Sequence, residues 1–362
     1  MIKGVGDATA RSLLEFFEGD AEIIFHENQR SLEKVPRIGS TLATAIRDPE
    51  ILRRAEKELE FVTKHTIRIC FMEDEDYPQL LRACSDFPIL FYYKGVADLN
   101  VPHIISVVGT RSFTPYGRGL TDTLIADLAA HYPDLIIVSG LAYGIDILSH
   151  RAALKNGLPT VAVLAHGLDR IYPSVHRDTA TEILQKGGLL TEFPHGTEPE
   201  KSNFVKRNRI VAGLSKVLVV VEAPAHSGAL ITAELAYSYQ REIFTFPGRT
   251  IDEKSSGCNA LIRLNKACLI RSAKDLIKEL GWEETLVAPK PPTLESPTLR
   301  FSDDSENGRI LSLISRHNEV HINELARLAD MSVSRLFPII CDLETEDIIV
   351  SLPGGKYRLA KA

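Results

Sequence analysis

Residues 201–209, Lys-Ser-Asn-Phe-Val-Lys-Arg-Asn-Arg, carry four positive charges and one aromatic ring with no acid among them. Such a run can pair with phosphates and release their counterions. Phe204, set between Lys201 and Lys206, offers a face on which a base can stack. The cluster stands out because the whole chain is acidic, with a formal net charge of -6. The plain alternative is a solvated helix start with an ordinary basic face, so the surrounding elements must decide.

Between residues 104 and 285, short β-branched runs alternate with amphipathic stretches, the pattern of βαβ units around a parallel sheet. Strands are predicted at Ile104–Val108, Leu135–Val138, Thr160–Leu164, Leu189–Thr191, Lys216–Val221 and Ile243–Phe246. Glycine loops follow nearly all of them: Gly109-Thr110-Arg111, Ser139-Gly140, His166-Gly167, Ser227-Gly228 and Pro247-Gly248. In an open parallel sheet the carboxyl edge is where ligands bind, and glycine lets backbone and free helix amides come close to them. One such loop is ordinary turn chemistry, whereas five on one edge outline a crevice suited to phosphate. Gly109, Thr110, Arg111, Gly140, Ser227 and Gly228 therefore join Lys201, Phe204, Lys206, Arg207, Asn208 and Arg209 as candidate binding residues.

Other chemistries find little support. Gly140 and Gly144 are spaced G-x-x-x-G, which is not the dinucleotide fingerprint, and no Walker-type G-x-x-x-x-G-K-[ST] occurs. Neither Ser139 nor Ser227 sits in G-x-S-x-G, and Asp146 with His150, four apart, reads as a helix brace. The five cysteines are scattered and odd in number, and the eleven histidines show no ligand spacing, so neither metal nor cofactor is expected and the thiols should be reduced and buried. With no signal-like N-terminus and no apolar run long enough for a bilayer, the cytoplasm is the expected location.

The flanks differ in texture. Residues 1–60 read as helical and contain an echo: Ile2-Lys3-Gly4-Val5-Gly6 with Ala10 returns 33 residues later as Val35-Pro36-Arg37-Ile38-Gly39 with Ala43. This looks like paired helix-hairpin-helix motifs, although Arg37 replaces Gly4, and the helix preceding the first is expected upstream of residue 1. Residues 61–103 form a connecting region with strands at Ile67–Phe71 and Ile89–Tyr93 that can extend the sheet. Residues 286–304 are a proline-rich linker. Residues 305–362 give helices at Glu306–His317, Ile322–Ala329 and Ser332–Glu346 and a hairpin at Ile348–Ser351 and Lys356–Leu359, the layout of a winged helix. Its last helix carries Asp342, Glu344, Glu346 and, just beyond, Asp347 against Arg335 alone, with Pro338 inside, which argues for a protein contact or a dock onto the cationic crevice over duplex binding.

Several blocks closely resemble the DprA/Smf family of DNA-processing proteins of bacterial transformation. They are Val108-Gly109-Thr110-Arg111, Ser139 to Asp146 with His150, Gly167-Leu168-Asp169 with Tyr172-Pro173, Phe204 to Ile210, Val221-Glu222-Ala223, Ser227 to Ala233, Phe246-Pro247-Gly248-Arg249 and Gly257 to Ile262. They cover residues 104–270 in the family's order. The resemblance implies an α/β fold: an extended Rossmann-like parallel sheet core, flanked by an N-terminal helical helix-hairpin-helix/SAM-like domain and a C-terminal winged-helix domain. It further implies binding and protection of single-stranded DNA, loading of RecA recombinase, a homodimer through the Rossmann-like domain, and no catalysis. Gly109, Thr110, Arg111, Lys206, Arg207 and Arg209 would form its phosphate pocket and Phe204 its stacking face. Thr110 stands where many members have serine, and Asn265-Lys266-Ala267 replaces a common Gly-Ala ending. Two rival readings are an adaptor whose main partner is protein and a nucleotide phosphoribohydrolase, for which Glu234, after Thr232, is the nearest catalytic candidate.

Overall fold

The computed structural model describes residues 2–282, 306–317, 319–345, 348–352 and 355–359. The expected linker at 286–304, together with Glu346 and Asp347, lies outside the described residues. The chain divides into two compact units, 1–289 and 290–362.

In the first unit, helices α1 (Asp7–Phe16), α2 (Ala21–His26), α3 (Gln29–Leu32), α4 (Ser40–Ile46) and α5 (Pro49–Lys64) enclose a core of Leu13, Leu14, Ile24, Leu32, Val35, Ile38, Ala43 and Ile46. Polar caps start three of them: Asp20 accepts from the amides of Glu22 and Ile23, Asn28 from Ser31, and Asp48 from Glu50. The sequence echo is also a structural one. Gly6 and Gly39 occupy the N-cap positions of α1 and α4, and Gly4 and Arg37 both adopt positive φ, at 90° and 71°. Arg37 thus holds a left-handed turn that glycine adopts without strain.

A nine-stranded sheet follows, built from β1 (Arg68–Phe71), β2 (Leu90–Gly95), β3 (Ile104–Val108), β4 (Ile136–Ser139), β5 (Thr160–Val163), β6 (Gly188–Thr191), β7 (Val217–Val220), β8 (Glu242–Thr245) and β9 (Cys268–Leu269). The strand order is β1-β2-β6-β5-β4-β3-β7-β8-β9. Strands β3 to β9 pair in parallel, while β1 and β2 extend the β6 edge antiparallel. From β3 the chain steps one way through β4, β5 and β6, then returns to place β7 on the other side of β3. The loops after β3 and β7 therefore diverge at a switch point, where an open α/β sheet leaves a crevice at its carboxyl edge.

The helices of the sheet are α6 (Gln79–Arg82), α7 (Pro115–His131), α8 (Ile145–Lys155), α9 (Arg177–Lys186), α10 (Lys201–Gly213), α11 (Gly228–Ser238), α12 (Ser256–Arg263) and α13 (Ala273–Glu279). Strand alternation feeds two cores. Ile104, Val108, Val138, Val163 and Val220 pack with Ile210 and Val211 of α10 and Ala229 and Ala233 of α11. On the other face Ile105, Val107, Ile137 and Val219 pack with Leu124 and Leu128 of α7 and Leu148 of α8. Strand β9 escapes sequence reading because it is two exposed residues long. Its Cys268 corrects one expectation: Cys70, Cys84 and Cys258 are free and buried, but Cys268 is exposed on this edge.

The second unit contains α14 (Glu306–His317), β10 (Val320–His321), α15 (Ile322–Ala329), α16 (Val333–Thr345), β11 (Ile349–Leu352) and β12 (Lys356–Leu359). The strands are ordered β10-β12-β11, and Ile310, Ile314, Leu325, Leu336, Ile340, Leu343 and Ile349 form the core, which gives a winged helix. Pro338 lies inside α16.

Candidate nucleic-acid interface

A cavity of about 660 Å³ opens at the switch point between the β3–α7 loop, the start of α10 and the start of α11. Helix α10 explains which charges of the cationic run reach it. Asn203, Arg207, Ile210 and Val211 are buried, so the helix repeat turns Lys201, Phe204, Val205 and Asn208 toward the cavity. Lys201 stands in the first turn, where the helix dipole is already positive. An anion there relieves a conflict that the protein alone leaves in place.

Phe204 forms the aromatic face. The Arg111 guanidinium lies 5.4 Å from its ring centroid, and the Tyr172 ring is 5.9 Å away at 59°. Arg111 is held by a braced loop: Thr110 N donates to Glu222 O at 2.6 Å, and Ile145 N donates to Thr110 O at 3.1 Å. The Glu222 carboxylate, itself buried, accepts from Thr114 N at 2.9 Å and Thr114 Oγ1 at 2.7 Å. Gly144 has φ +85° and packs against the backbone of Thr110 and Arg111, so a side chain there would displace the loop.

Three residues of the expected phosphate pocket are placed differently from the rest. Arg207 is only 3 % exposed and acts as a floor beam: its Nη1 donates to Gly140 O at 2.5 Å and to Val163 O, tying α10 to the ends of β4 and β5. Gly140 is needed beneath it, because any Cβ would collide with the guanidinium. Arg209 points away from the cavity, donating to Asp7, Glu192 and Asp86 O, and so fastens the N-terminal helices to the sheet. Burial pulls its pKa down, but Glu192 and Asp7 outweigh that and raise it. Lys206 is exposed and does not line the cavity. Gly109, Thr110, Arg111, Gly140, Lys201, Phe204, Arg207, Asn208, Ser227 and Gly228 do line it, and so do Asp146, Tyr172 and His226, which sequence reasoning missed as site residues. The Tyr172-Pro173 pair was visible as a motif, but nothing in its spacing set it opposite Phe204.

Beneath the floor lies a buried polar layer. Asp146 bonds to the Ser139 hydroxyl and to the amides of Gly140 and Ala142, and burial raises its pKa in spite of Arg207. Burial likewise lowers the Arg207 pKa to about 10, with Asp146 opposing the fall. His150 Nδ1 lies 2.7 Å from Thr160 Oγ1, whose proton goes to Ile137 O, so Nδ1 carries the hydrogen and Nε2 is a bare acceptor. Burial, reinforced by Arg207 and His176, lowers the His150 pKa to about 3. Asp146 and His150 thus bond to separate partners within the fold. Glu234 is turned elsewhere, with both oxygens 2.7 Å from Lys266 Nζ, which takes it out of the crevice.

Among the described residues, no helix is long and apolar enough to cross a membrane, and no group of three or more His, Cys, Asp or Glu is placed to hold a metal. In the winged helix, Arg335 is paired with Glu306, so the one cation of the last helix is already engaged.

A mostly parallel, switch-point sheet with a cationic, aromatic-faced crevice defines a Rossmann-like α/β protein, joined in this chain to a winged helix. The chain belongs to the DprA/Smf family: the family model for DNA recombination-mediator protein A matches residues 68–281, and that for the DprA winged helix domain matches residues 288–355. DNA processing protein DprA of Streptococcus pneumoniae is 40% identical over 209 residues, covering 58% of this chain and 73% of that one. Protein Smf of Escherichia coli is 32% identical over 332 residues, covering 86% of this chain and 85% of the other. Among solved structures, S. pneumoniae DprA matches with TM-score 0.66 and 31% identity over 77% of this chain and 94% of that chain. A structure describing the single-stranded DNA binding mode of DNA processing protein A from Helicobacter pylori matches with TM-score 0.53 and 32% identity over 59% and 95%.

Proposed function

We propose that this protein binds single-stranded DNA without regard to sequence in the switch-point crevice, protects it, and presents it to RecA during DNA uptake and recombination. One observation carries the reading: Phe204 offers its ring inside a cavity that also holds Arg111 and Lys201. A base can stack there only if it is unpaired, while the two cations meet phosphates and read no sequence. The Helicobacter relative's single-stranded DNA binding supports the same assignment. Family membership also leads us to assign a homodimer through the Rossmann-like unit and no catalytic role. The placement of Glu234 against Lys266 disfavours the phosphoribohydrolase alternative. With Arg335 paired, we assign the winged helix to a protein contact.

Fluorescence anisotropy of a labelled single strand across a salt series tests the proposal. Two phosphate contacts per crevice predict a slope of log K against log salt of about -1.4. The Arg111→Ala/Lys201→Ala variant should flatten that slope and lose most of the affinity. Unchanged binding in that variant would hand the function to the adaptor reading.

A further inference from the structure

Four donors of the crevice lining have no acceptor. The amides of Gly228 and Ala229 make no hydrogen bond among the described residues. Ser227 holds the N-cap position but forms no cap bond, and its Oγ is buried and unpartnered. Arg207 spends Nη1 on Gly140 O and Val163 O, yet its Nε is buried without a partner. All four residues line the crevice, and around Gly228 there is open space where a side chain would stand. Buried polar groups are rarely left unmet, so the Ser227 hydroxyl and the Arg207 Nε, in one cavity with two free helix amides, call for an acceptor from outside. Free amides of an eleven-residue helix favour an anion in that place.

The cavity also specifies which anion. Phe204 and Tyr172 across it suit a base, so one ligand carrying both a base and a phosphate fills both parts. A phosphomonoester brings three free oxygens and about -1.5 to -2 charges, more than the single charge of an internal phosphodiester. Arg111, Lys201 and Arg207 face one carboxylate, Asp146, whose oxygens are turned to Ser139 and to the amides of Gly140 and Ala142.

We propose that the N-terminus of α11, with Ser227 and Arg207, is a phosphomonoester subsite, so that the crevice prefers a nucleotide bearing a terminal phosphate to one inside a strand. This rests on the single-strand reading above. A phosphorylated strand end and a free nucleoside monophosphate present the same chemistry.

The test is anisotropy of the full chain with oligothymidylates of about 12 nucleotides, phosphorylated at the 5′ end, at the 3′ end or at neither, with thymidine monophosphate and thymidine as competitors. A phosphorylated end should tighten binding about ten-fold, the worth of one charge-assisted hydrogen bond. Ser227→Ala should bring that ratio toward one, weakening the phosphorylated strand more than the hydroxyl-ended one. Phe204→Ala should weaken both strands and keep the ratio. A gain confined to strand ends identifies the strand as the source. Competition by thymidine monophosphate and not thymidine, without an end effect, identifies the free nucleotide. Phe204-dependent binding with no end effect and no such competition overturns the subsite and leaves the crevice reading standing, whereas failure of every oligothymidylate to bind removes that reading itself.

Discussion

Methionine at position 207 fills much of the volume of the arginine while deleting the guanidinium that ties α10 to β4 and β5. The side chain is 3 % exposed, and its loss strands the carbonyls of Gly140 and Val163 and removes the cation offsetting Asp146. Removing one partner of a buried charged arrangement costs about 3–5 kcal/mol, and a single orphaned acceptor about 1–3 kcal/mol. At roughly 2–4 °C per kcal/mol for a unit of this size, Arg207→Met should lower Tm by about 10 °C, with a matching fall in the urea midpoint. The pH dependence has a definite sign. Burial already raises the Asp146 pKa, and losing Arg207 raises it further. The folded variant then binds more protons than the unfolded chain, so its stability falls as pH rises. The deficit should be larger at pH 8 than at pH 5, and Asp146→Asn in the same background should restore stability at pH 8. A deficit below about 1 kcal/mol, equal losses at both pH values, or no rescue would refute the floor-beam account.

Three further outcomes are expected. His150 falls from 6.5 to about 3 on folding, so its contribution is present above pH 6.5 and is lost as pH drops toward 3. Wild type should lose about 2 kcal/mol between pH 7 and pH 5 that His150→Leu does not, as read by urea titration at each pH. Arg209→Ala should speed hydrogen exchange in α1, whose Asp7 it anchors, while leaving single-strand affinity nearly intact; an affinity loss like that of Lys201→Ala would return Arg209 to the binding face. Phe204→Ala should weaken single-strand binding by about 1–3 kcal/mol in anisotropy titrations while Phe204→Tyr retains it, because stacking needs only the ring.

The parallel sheet and the glycine loops at its carboxyl edge were legible because its strands are short β-branched runs ended by glycine, whereas the switch point was not, because the return of β7 beside β3 is a tertiary pairing. The cationic stretch was legible as a patch but not as individual roles. Arg207 and Arg209 look alike in sequence, yet one lies under the crevice and the other clamps α1. The signal that separates them was present: Ile210-Val211-Ala212 mark the buried face of α10, and Arg207 and Asn203 stand one and two helical turns before Ile210. The partners of Arg209, Asp7 and Glu192, lie 202 and 17 residues away in the chain, which no local pattern predicts. Tyr172 was hidden for the same reason, since only the tertiary fold brings it to Phe204. In the N-terminal region Arg37 adopts a positive φ as Gly4 does, a backbone correspondence that the residue types alone hid.

Photocrosslinking of a 5-iodouracil-substituted single strand to the full chain, with the attached peptides identified by mass spectrometry, tests the central claim most directly. The account predicts attachment at Phe204 or Tyr172 in the switch-point crevice, abolished by Arg111→Ala/Lys201→Ala. Attachment confined to α16 of the winged helix or to the turns before α1 and α4, and indifferent to that variant, would contradict it.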